Sequence, residues 1–216
     1  MRESDLREEI CLIGKSLFDR GYTHGASGNI SARLAEGGLL VTPTNVALGM
    51  LDPAMLSKFD SAGNLVDGPS PTKEMPLHQA LYAHRRSSGA VVHLHSTHSV
   101  AVSMLPHLDP TNVFPPLTAY YVMKVGRTML LPYFRPGDPA IAKAIEELDP
   151  ACSAVLLANH GPIVCGTSLT GASDAIEELE QTARLYLLLA GRAATFLSPE
   201  AVGEITGHSS PHLSIE

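Results

Sequence analysis

Val91-Val92-His93-Leu94-His95 reads as a buried β-strand that runs straight into a pair of histidines. Side chains alternate across a strand, so His93 and His95 point one way and Leu94 the other. Two imidazoles on one face, about 7 Å apart along the strand, can close on a single metal ion. Downstream, residues 99–105 suit a helix, 106–119 are a proline-rich loop, and 120–124 and 129–132 are strand-like. Asp138-Pro139 is a cap-plus-proline helix start, with Ile141, Ala144, Ile145 and Leu148 on one face. Residues 154–158 are a continuous apolar run, hence a second buried strand, and it too ends in a histidine, in Asn159-His160-Gly161. Residues 163–165 continue as strand. A long helix covers about 170–190, with Ile176, Leu179, Ala183, Tyr186 and Leu187 on one stripe, and Ser198-Pro199-Glu200 opens a last short one. The tail from Gly207 is expected to be flexible.

Upstream, residues 4–20 form an amphipathic helix with Leu6, Ile10, Ile13 and Leu17 inward, and Gly21 suits its stop. Residues 30–33 and 39–42 make a hairpin about Gly37-Gly38, and 59–66 a second one about Ala62-Gly63-Asn64. Asp52-Pro53 is a helix start. A further helix begins near Met75-Pro76 and leaves Glu74 just outside it, at the edge of the rigid Pro69-Ser70-Pro71-Thr72 loop. Strands and helices mix without strict βαβ alternation. A central mixed or antiparallel sheet layered by helices therefore fits better than a doubly wound parallel fold.

At 216 residues a single domain, 1–216, is expected. The 22 acidic residues outnumber the 15 basic ones, for a net charge of −7, which argues against a nucleic-acid or anionic-membrane surface. A small local anion pocket is still compatible with it. No apolar run reaches the roughly 18 residues of a membrane span. Arg2, Glu3, Asp5 and Arg7 make the start too charged for a signal peptide. Cys11, Cys152 and Cys165 are odd in number and widely spaced, as free thiols in a reducing cytoplasm would be.

Catalytic zinc takes three protein ligands and keeps one position open. His160 is the candidate third ligand, and Gly161 would let backbone approach it closely. His98 and His24 are further candidates, whereas His78 and His84 read as packing or surface residues. Glu74 could ligate the metal, act as general base, or do both; it could also simply complement a helix dipole. Three loops could hold an anion: Ser27-Gly28-Asn29, Thr44-Asn45, and Ser70-Pro71-Thr72-Lys73.

Taken together, Ser27-Gly28-Asn29, Thr42-Pro43-Thr44, Lys73-Glu74 with His78, His93-Leu94-His95-Ser96 and Asn159-His160-Gly161 resemble the class II aldolase/adducin family. The resemblance covers nearly the whole chain. It implies a three-layer α/β/α sandwich with a nine-stranded, mixed and largely antiparallel sheet, in a homotetramer with active sites at subunit interfaces. It implies one zinc ion per subunit on His93, His95 and His160. Glu74 would be the acid/base and would ligate the metal at rest. Gly28, Asn29, Thr44, Asn45, Thr72 and Lys73 would surround a substrate phosphate. Within the family, residues 117–126 and Pro136-Gly137-Asp138-Pro139 resemble the 3-oxo-tetronate 4-phosphate decarboxylases. The expected reaction is loss of CO2 from such a β-keto acid through a metal-stabilised enediolate, giving dihydroxyacetone phosphate. Tyr120 is the candidate proton donor or carboxylate-positioning residue, with Tyr121 the alternative. A fuculose-phosphate type aldolase or a 4-epimerase is the nearest rival. No tyrosine follows Tyr186 to serve as that aldolase's C-terminal proton donor, and only the tail histidines His208 and His212 could substitute. A non-catalytic adducin-like interaction module is the rival of another class, and it predicts damaged ligands, whereas all three histidines and Glu74 are intact.

Overall fold

A computed structural model of the chain describes residues 2–207. In order, the elements are α1 (Glu3–Asp19), β1 (Asn29–Arg33), β2 (Leu39–Val41), β3 (Ser57–Phe59), β4 (Leu65–Asp67), α2 (Met75–His84), β5 (Ala90–His93) and α3 (Thr97–Ser103). Then come α4 (Ala119–Lys124), β6 (Thr128–Leu131), α5 (Ala140–Glu146), β7 (Ala154–Leu157), β8 (Gly161–Gly166), α6 (Leu169–Leu189) and α7 (Pro199–Thr206). The strands form one sheet in the order β4-β3-β2-β1-β5-β8-β7-β6. Every neighbouring pair is antiparallel except β6 and β7, which run parallel. The sheet is thus mixed and largely antiparallel, with eight strands among the described residues rather than nine.

Alternation along the strands sorts the core into two halves. Ala90, Val92 and Leu94 share one half with Ile10 and Leu17 of α1 and Ile176 and Leu179 of α6. Val91 faces the other way, onto Leu77 and Leu81 of α2 and Ile141 and Ile145 of α5. Helices therefore cover both faces, giving three layers. Each fully buried Leu or Ile in these layers contributes about 1.5–3 kcal/mol. The three cysteines are free thiols, Cys152 and Cys165 buried. No described helix is long and apolar enough to cross a membrane.

Two local readings give way to context. Residues 120–124 are helix α4, not strand. The Thr118 side chain caps that helix by accepting from the Tyr121 amide at 3.0 Å, and this local start overrides the strand preference of adjacent tyrosines. At Asp52-Pro53 the capping bond to Ala54 forms, but only a single 3-10 turn follows, because β3 begins at Ser57. The tail, with His208 and His212, lies outside the described residues.

Candidate metal centre

Strand pairing brings the chemistry to one end of the sheet. Asn29 at the start of β1 lies opposite His93 at the end of β5, and His93 lies opposite Ile163 in β8. The β7–β8 turn carries His160, whose amide donates to the Leu157 carbonyl at 3.1 Å. Gly161, at φ +149°, lets that turn close on β5: a Cβ there would come within 2.3 Å of the Leu94 carbonyl oxygen. The β5 strand ends at His93, so His95 lies just past it, on the way to α3. Both rings still face the same point.

The three imidazoles form a triangle of Nε2 atoms. Its edges are 3.1 Å for His93–His95, 3.0 Å for His95–His160 and 3.3 Å for His93–His160. Glu74 closes it, with Oε2 3.2 Å from His93 Nε2 and Oε1 3.1 Å from His160 Nε2. All four ligand atoms lie within 4.8 Å of one another. Tetrahedral bonds of about 2.0–2.1 Å to imidazole nitrogen require nitrogens about 3.3 Å apart. The spacing and the three-nitrogen, one-oxygen donor set therefore fit a divalent ion. His93 shows how a ligand is aimed. Its Nδ1–H donates to the Pro162 carbonyl at 2.8 Å; a carbonyl only accepts, so a proton is on Nδ1, and Nε2 is the nitrogen turned to the cluster.

Glu74 sits at the N-cap of α2, with its amide donating to Thr72 Oγ1 at 3.2 Å. Burial works against its ionisation, but the His93 and His160 rings outweigh burial and hold its carboxyl well below the usual range. Burial, and then the neighbouring rings of His93 and His160, push His95 down to about 3, so it stands as a neutral ligand. His24 is exposed in the loop before Ser27, whose hydroxyl donates to the His24 carbonyl at 2.6 Å, and its ring is not part of the cluster.

The proposed phosphate loops are drawn together beside Glu74. An isolated bridge pairs Pro43 with Pro71, the Thr44 amide donates to the Ser70 carbonyl at 3.0 Å, and the Thr72 amide donates to the Thr42 carbonyl at 3.1 Å. Asn45 adopts φ +61°, Thr72 is buried, and Lys73 is exposed. Gly28 packs against the His93 carbonyl, where a Cβ would lie 3.0 Å away. Asn29 turns its side chain to Glu74 instead: Nδ2 donates to Oε2 at 2.7 Å.

Other sequence candidates fall outside the cluster. His98 pairs with Glu180 through Nδ1 at 2.8 Å. Tyr121 is buried in the core with its hydroxyl 3.1 Å from Thr128 Oγ1. Tyr120 is 64% exposed on α4, in the layer opposite α2, and is not gathered around Glu74 within one chain. One pair of residues carries no signal in the sequence, and one histidine does more than pack. Phe134 and Arg135, from the loop after β6, line a cleft with Glu74, Leu77 and His160. No ion pair ties Arg135 among the described residues, and its nearness to Glu74 has no local signal. His78 is fully buried and bonded through both ring nitrogens; its signal was the four-residue step from Glu74 on α2.

An α/β/α layering that converges three histidines and a glutamate at one sheet end is the framework of a metal-dependent enzyme. The chain belongs to the class II aldolase/adducin family: residues 8–187 match the Class II Aldolase and Adducin N-terminal domain. It is 51% identical over 187 residues to a 3-oxo-tetronate 4-phosphate decarboxylase of Cupriavidus necator, covering 87% of this chain and 86% of that one. Among solved structures it is similar to YgbL of Escherichia coli, described as an aldolase, epimerase or decarboxylase, with a TM-score of 0.91 and 47% identity over 94% of this chain and 98% of the other. An L-fuculose 1-phosphate aldolase shares the fold at a TM-score of 0.80 but only 26% identity, covering 94% of this chain and 95% of the other.

Proposed function

We propose that this chain is a metal-dependent carboxy-lyase that converts a 3-oxo-tetronate 4-phosphate to dihydroxyacetone phosphate and CO2. The observation that carries the reading is the 51% identity to a decarboxylase of that name over most of both chains, against 26% to an aldolase of the same fold. The substrate has a carboxylate at C1, a hydroxyl at C2, a ketone at C3 and a phosphate at C4. Breaking the C1–C2 bond releases CO2 and leaves its electron pair at C2, delocalised into the C3 carbonyl; a proton then adds at C2. A divalent ion, zinc by the nitrogen-rich donor set, would supply Lewis-acid stabilisation of the charge that develops on the C3 oxygen.

The chain's own groups do the rest. His93, His95 and His160 hold the ion, with Glu74 as fourth ligand at rest. Glu74 handles the proton delivered to C2. Lys73, Thr44, Asn45, Thr72 and the backbone at Gly28 bind the phosphate, and the Asn29 backbone belongs to the same wall. Arg135, which lines the same cleft as Glu74, holds the C1 carboxylate. Tyr120 enters through a neighbouring copy, in a cytoplasmic homotetramer of single-domain subunits with one metal each. Incubation with 3-oxo-tetronate 4-phosphates of both C2 configurations tests the reading. CO2 and dihydroxyacetone phosphate are expected in equal amounts from one of them. Release of an aldehyde from a sugar phosphate, with no CO2 from either acid, would overturn it in favour of aldol cleavage.

A further inference from the structure

The hydrogen bonds that begin on Glu74 continue past Asn29 into the core. Glu74, His78 and Tyr82 recur every four residues along α2, a rise of about 6 Å per step. Asn29 and Ser31 recur every two residues along β1, a step of about 7 Å. The two steps nearly match, so helix and strand interlock rung by rung. Asn29 Nδ2 lies 2.7 Å from Glu74 Oε2, and Asn29 Oδ1 bonds His78 Nε2. His78 Nδ1 lies 2.7 Å from Ser31 Oγ, which lies 3.0 Å from the Tyr82 hydroxyl. Ser31 and His78 are fully buried, and Asn29 and Tyr82 almost so.

Donor and acceptor chemistry gives this ladder one direction. The carboxylate only accepts, so the Asn29 amide must turn its NH2 to Glu74 and its oxygen to His78. His78 Nε2 must then carry the ring proton. That ring is fully buried and its two nitrogens meet only the Asn29 oxygen and the Ser31 hydroxyl, so a single ring proton satisfies it: Nδ1 is bare and takes the Ser31 proton. Burial also raises the Tyr82 pKa, so its phenol stays a donor, onto the Ser31 oxygen. A packed helix face needs none of this; leucines would fill the same volume without buried polar groups to satisfy.

We propose that His78, held by Ser31 in the Nε2–H tautomer, is a positioning residue that fixes the Asn29 amide with its NH2 on Glu74. The proposal rests on Glu74 being the acid/base of the proposed lyase. An inverted amide would set oxygen against carboxylate, and Glu74 would lose both its donor and its aim.

The test uses the zinc-loaded full chain, with Ser31→Ala as the lead variant and His78→Gln and His78→Leu as a pair. Ring-nitrogen NMR of isotope-labelled histidine should find His78 protonated on Nε2 in the wild type and a tautomer mixture in Ser31→Ala. That variant should lose about 10–100-fold in kcat, the usual cost of removing support from a catalytic ligand, with zinc content unchanged and KM within about 3-fold. His78→Gln, which keeps a donor near Nε2, should recover part of the kcat that His78→Leu loses. A wild-type His78 protonated on Nδ1, a Ser31→Ala enzyme with full kcat, or a kcat loss that only tracks lost zinc would each overturn the proposal. If the wild type releases no CO2 the functional reading fails, and the tautomer measurement still decides the ladder's direction.

Discussion

His95→Ala removes one corner of the nitrogen triangle and leaves His93, His160 and Glu74 to hold the ion. Bound zinc and turnover should disappear together, by more than the roughly 10–100-fold that loss of a group supporting a ligand costs. Metal analysis beside a CO2 assay checks it, and full activity in a metal-free variant would refute the scheme. Lys73 is exposed and lies in the loop drawn up against Thr44. If it binds only phosphate, Lys73→Ala should raise KM by about 10–100-fold, the worth of one charge-assisted hydrogen bond, and change kcat far less. An unchanged KM rejects that role. The three histidines could be read from the chain because each ends or follows an apolar strand, and strand ends are where side chains escape the core. The side chain of Asn29 could not. Its turn toward Glu74 depends on His78 and Ser31, one on a helix and one on a strand, which come together only in the folded layers.

At the scale of elements, α3 shows how a distant residue can set a boundary. Its N-cap, Ser96, makes no side-chain capping bond. Glu180 of α6 does the capping instead. One carboxylate oxygen accepts from the His98 amide at 2.9 Å, the other from the Ser99 amide at 2.8 Å and the Ser99 hydroxyl at 2.7 Å. These are the orphan donors of the first turn, and the negative charge also suits the helix dipole. Glu180→Ala should therefore cost about 2–4 kcal/mol in urea unfolding, since it orphans buried donors. Zinc content at saturating metal should not change, because His98 belongs to this cap and not to the cluster; loss of zinc stoichiometry would refute that division. The sequence reading began α3 two residues late for the same reason: the cap comes from 81 or more residues away. Residues 120–124 are strand-like by their own side chains, and it is the Thr118 hydroxyl just before them, accepting from the Tyr121 amide, that starts a helix there. The hairpin β1–β2, the hairpin β3–β4 and the long α6 followed their local patterns, because each is specified by its own turn residues or stripe.

For the whole molecule, the layering followed from the absence of βαβ alternation, and both helix layers are in place. The strand count did not follow, because it came from likeness to other proteins and not from any run in this chain. The His93, His95, His160 and Glu74 cluster ties β5, the β7–β8 turn and the N-terminus of α2 into one knot, so an ion bound there would link binding to folding. Zinc at about 100 times its Kd should stabilise the native state by about 2.7 kcal/mol. For a chain of this length that corresponds to a Tm rise of about 5–10 °C over chelator-treated protein. Differential scanning calorimetry at several free zinc concentrations checks it, and a Tm independent of zinc would show that the cluster does not bind the ion in the folded state.

The Pro162 carbonyl accepts twice, from the His93 ring at 2.8 Å and from the Leu94 amide at 3.1 Å. The aim of a metal ligand is thereby written into the main chain and not into any partner side chain. A substitution scan of the residues around His93 would pass over it, since every amino acid brings the same carbonyl. Drift in the surrounding sequence can retune the pocket for new substrates while this support persists unchanged. Only an edit to the backbone, such as an ester in place of the Pro162–Ile163 amide, would weaken it.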